Sequence, residues 1–92
     1  MDNDEAIQLL ERELAAFRDE SYDDLVRRIP SGSLHCERLG TSGAKYQVEV
    51  QFFWDDRSGG NILVMASIDD GGWRAFVPLT RSFIKSADGP IL

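Results

Sequence analysis

From Lys45 to Trp54 the chain alternates. Tyr46, Val48, Val50, Phe52 and Trp54 are apolar, Lys45, Gln47, Glu49 and Gln51 polar, and Phe53 alone breaks the polar side. Successive side chains of a strand point to opposite faces, so this segment predicts a strand with one buried face and one open face. A strand of this kind cannot stand alone. Something apolar must cover the Tyr46–Trp54 side, and neighbouring strands must pair with its backbone.

The cover lies upstream. Ile7, Leu10, Leu14 and Phe17 recur at spacings of three and four, which predicts an amphipathic helix over residues 4–19 with those four on one stripe and Leu9 off it. Asp2, Asp4 and Glu5 suit the positive end of its dipole. Ser21 with Asp24 matches a capping pattern for a second helix, whose apolar face is Tyr22, Leu25, Val26 and Ile29. Pro30, Ser31 and Gly32 end it.

Beyond Gly32 the period is two. Leu34–Leu39 reads as a modest strand, Gly40–Ala44 as a loop, and Ile62–Ile68 as a nearly continuous apolar strand suited to a central place. Asp69-Asp70-Gly71-Gly72 is a tight-hairpin signal, because Asp and Gly tolerate the positive φ of such turns. It leads to a predicted fourth strand, Trp73–Leu79, and Thr80–Lys85 reads as a short helical turn. Short links favour antiparallel neighbours. The expected architecture is therefore α+β: two N-terminal helices packed on one face of a four-stranded antiparallel meander sheet, in the order α-α-β-β-β-β. The 92 residues suffice for one domain, 1–92, with a helical part 4–29, a sheet part 33–79 and a C-terminal tail 80–92.

Charge divides the chain. Residues 1–24 hold nine acids against Arg12 and Arg18, a net −7, while the whole chain is −6. Such a surface repels phosphates, so nucleic acid is not an expected partner. No apolar run approaches the ~20 residues that cross a bilayer, so no membrane association is expected. The acidic start, Met1–Glu5, lacks the basic and apolar segments of a signal peptide, and a cytoplasmic location is expected.

Residues able to carry chemistry are few and scattered. His35 and Cys36 are the only histidine and the only cysteine. Adjacent on a strand, they point to opposite faces and make a poor base–nucleophile pair. The pairs Asp55–Asp56 and Asp69–Asp70 belong to loops at opposite ends of the Ile62–Ile68 strand, too far apart for one site. Gly59-Gly60 and Gly71-Gly72 lack the Gly-Lys-Ser/Thr of a phosphate loop and precede strands. No catalytic residue, metal ligand or cofactor site is expected, and the reading leans away from an enzyme.

With these registers Phe53, Leu63, Met65 and Phe76 gather on the sheet face away from the helices, beside Gln51, Ser67 and Arg74. Apolar clusters of this kind mark contact surfaces, and Met, Phe and Arg suit them. Phe53, Leu63, Met65, Arg74 and Phe76 are the candidate interface. The competing expectation is that Phe83, Ile84, Ile91 and Leu92 fold back over the same face.

The stretch Ile68-Asp69-Asp70-Gly71-Gly72-Trp73-Arg74-Ala75-Phe76-Val77-Pro78-Leu79, with Gln51–Asp56, resembles the closing hairpin of an uncharacterised family of small bacterial proteins. The resemblance implies a bacterial source and an α+β fold. It brings no activity and no residue role.

Three functions follow as expectations. The first is a non-enzymatic protein-interaction module whose open sheet face binds a copy of itself or another protein. The second is an acidic inhibitor or immunity-type protein holding a basic partner on its N-terminal helix. The third is a small-ligand binder or enzyme with Tyr46, Trp54, Trp73 and His35 lining a pocket between helices and sheet.

Overall fold

The computed structural model describes residues 2–71 and 78–87. Two helices lead into four strands: α1 is Asn3–Arg18, α2 Tyr22–Arg28, β1 Ser33–Leu39, β2 Lys45–Trp54, β3 Ile62–Asp69 and β4 Leu79–Lys85. The sheet is an antiparallel meander in the order β1-β2-β3-β4. This is the expected α+β architecture with both helices on one face.

Each helix starts at the residue whose side chain can satisfy it. Asp2 Oδ1 accepts from the Glu5 N–H at 3.1 Å, and Ser21 Oγ accepts from the Asp24 N–H at 3.1 Å. After α2 a single 3-10 turn, Ile29–Ser31, carries Pro30, where no donor is needed. Gly32 then adopts φ 83°, a conformation that would strain a residue with a Cβ, and releases the chain into β1.

Helix α1 packs on β3 and β4, and α2 on β3. Leu10, Leu14 and Leu25 are fully buried against Val48, Val50, Ile62, Val64, Ala66 and Ile68. Leu9 is buried too, whereas Ile7 is only half-buried. The buried stripe is thus rotated from the one read in the sequence. It centres on Ala6, Leu10 and Leu14, with Leu9 and Phe17 buried beside them.

The fourth strand is the principal departure. Thr80–Lys85 belongs to β4, not to a helical turn, and pairs with β3 as Val64↔Phe83 and Met65↔Ser82. Leu79 and Phe83 are four residues apart, which imitates a helical stripe. Arg81 and Lys85 occupy the same helix-facing side, which hides the period of two. Both are held by α1: the Lys85 Nζ donates to the Arg18 carbonyl at 3.1 Å, and Arg81 Nε lies 3.8 Å from Glu11 Oε1. The Arg18 guanidinium stands 5.3 Å from the Phe83 ring centroid. Their aliphatic stems can lie along the edge of the core while the charges reach α1. The described β3 ends at Asp69 and the described β4 begins at Leu79, and of the residues expected to make a tight hairpin Gly72 lies outside the described ones. At its described start the turn has the expected chemistry, Asp69 Oδ1 accepting from the Gly71 N–H at 2.8 Å with Gly71 at φ 82°. Most of the expected Trp73–Leu79 strand lies outside the described residues.

Candidate functional site: the open face of the sheet

Both helices lie on one face of the sheet; among the described residues no helix or strand lies over the other face, and the registers order it into rows. Phe53, Leu63 and Ile84 are directly cross-strand on β2, β3 and β4. The next row is Gln51, Met65 and Ser82, with Ser33 of β1 at its end. The row beyond is His35, Glu49, Ser67 and Thr80, followed by Glu37, Gln47 and Asp69. The face is thus apolar and uncharged at one end, polar and acidic at the other.

At the apolar end Phe53 is 38% and Ile84 46% exposed, while Leu63 and Met65 are half-buried between them. Phe53, Leu63 and Met65 therefore lie where the sequence placed them. Arg74 and Phe76 fall outside the described residues. Ile84 is the member that sequence reading missed. Its signal was the alternation Thr80, Ser82, Ile84. The fold-back expected of Phe83 and Ile84 does not occur: Phe83 faces the helices, and Ile84 is part of the patch it was to cover. Ile91 and Leu92 lie outside the described residues.

The polar end forms a shallow cleft of about 220 Å³ bordered by His35, Gln47, Glu49, Ser67, Asp69 and Pro78. His35 Nε2 is 3.2 Å from Glu49 Oε2 and 3.4 Å from Ser33 Oγ. Gln47 Nε2 donates to Glu37 Oε2 at 3.1 Å. Glu49 stands between His35 and Ser67, so the histidine cannot take a proton from that serine as a nucleophile–base pair requires. Cys36 is on the opposite face, half-buried, and burial pushes its thiol pKa up; Arg38 offsets this in part and Glu13 adds to it. That is the reverse of an activated thiolate. Among the described residues no three His, Cys, Asp or Glu side chains gather to hold a metal ion.

Tyr46 and His35 do not share a pocket. Tyr46 is 1% exposed on the helix-facing side, where its hydroxyl donates to Glu5 Oε1 at 2.8 Å. The same carboxylate accepts from Ser42 Oγ at 2.8 Å, from the Ser42 N–H at 3.0 Å and from Thr41 Oγ1 at 3.0 Å. These donors hold the Glu5 pKa down at about 2, while burial and then the Glu5 carboxylate raise Tyr46 to about 12. Glu5 thereby ties α1 to the β1–β2 loop, a structural task. Trp54 is half-buried on the helix side, and Trp73 lies outside the described residues.

A second concavity, about 410 Å³, lies beside α2 among Glu20, Asp24, Arg27, Arg28 and Ser31. Its cations are already satisfied. Arg27 bonds Asp24 at 2.8 Å, and Arg28 grips Glu20 in a fork of 2.8 and 2.7 Å. The carboxylates neutralise the arginines, which makes it a poor anion site.

No protein-family model, curated protein or solved structure matches the chain. Among the described residues no helix is long and apolar enough to cross a membrane.

Proposed function

We propose that this chain is a non-enzymatic protein-interaction module that associates with a second copy of itself through the apolar end of its open sheet face. The observation that carries the reading is the cross-strand row Phe53, Leu63, Ile84, backed by Met65, uncharged and bare of cover among the described residues. A second copy fits because of where the charge sits. Residues 1–24 carry −7 and lie in the helical layer, behind the sheet. Copies approaching helix-first repel; copies meeting at the apolar end of the sheet keep those acids on opposite outer surfaces. A two-fold axis in the plane of the face pairs the neutral rows with each other and sends Glu37, Glu49 and Asp69 of each copy outward.

Sedimentation equilibrium over a range of concentrations tests this, on the wild type and on Phe53→Thr/Ile84→Thr, which keeps strand-compatible side chains. Association should persist in high salt, since apolar contacts are not screened. The double variant should weaken it by about tenfold or more, since losing ~1.4 kcal/mol of apolar burial suffices for that factor. A wild type that stays monomeric at every concentration, or a double variant that associates as well as it, would refute the proposal.

A further inference from the structure

We infer that β1 is a second homotypic contact, at which two copies join their sheets edge to edge in an antiparallel register centred on Cys36. The edge is open among the described residues. Among the described residues β1 pairs only with β2, so its other edge has no strand beside it; α1 reaches β1 through the Glu13–Arg38 ion pair, and Leu34 and Leu39 are 40% and 66% exposed. Leu34 and Leu39 are two of the large exposed hydrophobics outside the Phe53–Ile84 patch.

The backbone fixes which groups are free. At one end of β1 the Gly32 carbonyl accepts from the Phe52 N–H at 3.1 Å, and at the other the Gly40 N–H donates to the Ala44 carbonyl at 2.8 Å. Alternation in an antiparallel ladder then turns the N–H and C=O groups of Ser33, His35, Glu37 and Leu39 outward. Two copies of β1 can pair only with those residues opposite one another. Three registers give substantial overlap. One sets His35 against its own copy, and another sets Glu37 against its own copy, opposing like residues. The third pairs His35 with Glu37 of the other copy on the open side and Leu34 with the stem of Arg38 on the helix side. It also overlaps all of Ser33–Leu39. Hydrogen-bond complementarity, an imidazole facing a carboxylate instead of each group facing its own copy, selects this register. It exposes one competitor: Arg38 Nη1 donates to the outward Glu37 carbonyl at 3.3 Å, a long bond that pairing would replace. Leu34 then lies diagonal to Cys36 of the second copy, which covers it.

The register makes Cys36 and its copy a non-hydrogen-bonded pair on the two-fold axis, with Cα atoms ~4.5 Å apart, inside the range a disulfide spans. Diamide can therefore report it: two thiols give one disulfide, their two electrons and two protons reducing the diazene to a hydrazine. The wild type should link rapidly at concentrations where it associates. In Cys36→Ser/Leu39→Cys the thiol replaces a more exposed side chain, yet it lies six residues of strand, ~20 Å, from its copy. It should link far more slowly. Glu37→Pro removes an outward N–H without touching the β2 ladder and should abolish the Cys36 link. Glu37→Arg, which leaves the backbone intact, should slow it by about tenfold or more. Phe53→Thr/Ile84→Thr shares no residue with this contact and should leave the link unchanged, so the edge and the face fail separately. Linking of Cys36→Ser/Leu39→Cys as fast as that of the wild type, or linking indifferent to both Glu37 variants, would overturn the inference.

Discussion

Arg28 is the side chain whose removal should cost most for its exposure. Its fork on Glu20 joins the α1–α2 link to the end of α2, and its guanidinium carbon lies 5.1 Å from the Phe17 ring centroid and 5.7 Å from that of Phe52. Phe17 and Phe52 meet edge to face at 5.3 Å, so Arg28 closes the seam between α1 and β2. A cation over an aromatic ring at a partly exposed site gives ~0.5–1 kcal/mol. A bidentate pair at 36% and 21% side-chain exposure adds less than ~1 kcal/mol. Arg28→Ala should therefore lose about 2 kcal/mol, since contacts sharing one group do not sum fully. Arg28→Lys keeps the charge but neither the fork nor the flat stacking surface, and should lose about 1 kcal/mol. Urea unfolding measures both directly. In a domain of this size each kcal/mol shifts Tm by roughly 4–8 °C. A cycle with Glu20→Gln should isolate a coupling of ~0.5–1 kcal/mol, and added salt should reduce that coupling more than the ring contacts. Arg28→Ala within ~0.5 kcal/mol of wild type, the range of an ordinary surface change, would refute the reasoning.

Three further outcomes follow from the packing. Glu5 has its folded pKa depressed from 4.5 to about 2, so its contribution is present above pH 4.5 and is lost as pH falls toward 2. The difference in Tm between wild type and Glu5→Gln should shrink across that window; a difference constant from pH 7 to 2 would contradict it. Leu14→Ala, at a fully buried site, should cost ~2–5 kcal/mol in urea unfolding. Tyr22→Phe removes the hydroxyl that donates to the Gly60 carbonyl at 2.7 Å and ties α2 to the β2–β3 loop, and should cost ~1 kcal/mol by the same urea measurement.

Where one period dominated, the fold was legible in the residues. β2 alternates cleanly because it has one side in the core, β3 is a continuous apolar run because it lies between two strands, and the Ser21 cap is a local rule needing no tertiary context. β4 was not legible, because it is an edge strand. An edge lets Arg81 and Lys85 face the helices and still reach α1, so charge no longer marks the outer side. Leu9 stood off the periodic stripe and is nonetheless buried, because the width of a buried stripe depends on how closely the helix sits, which periodicity does not reveal. The candidate site inherits both effects. Phe53, Leu63 and Met65 come from the legible strands, and Ile84 from the edge that looked helical.

The central claim is that the apolar end of the open face is buried against a second copy. Met65 lies within that patch and reports on it chemically. Its rate of oxidation by hydrogen peroxide should fall as protein concentration rises through the association range, and should stay fast in Phe53→Thr/Ile84→Thr. A Met65 rate independent of concentration, under conditions where sedimentation detects the associated species, would place the contact elsewhere and contradict the account.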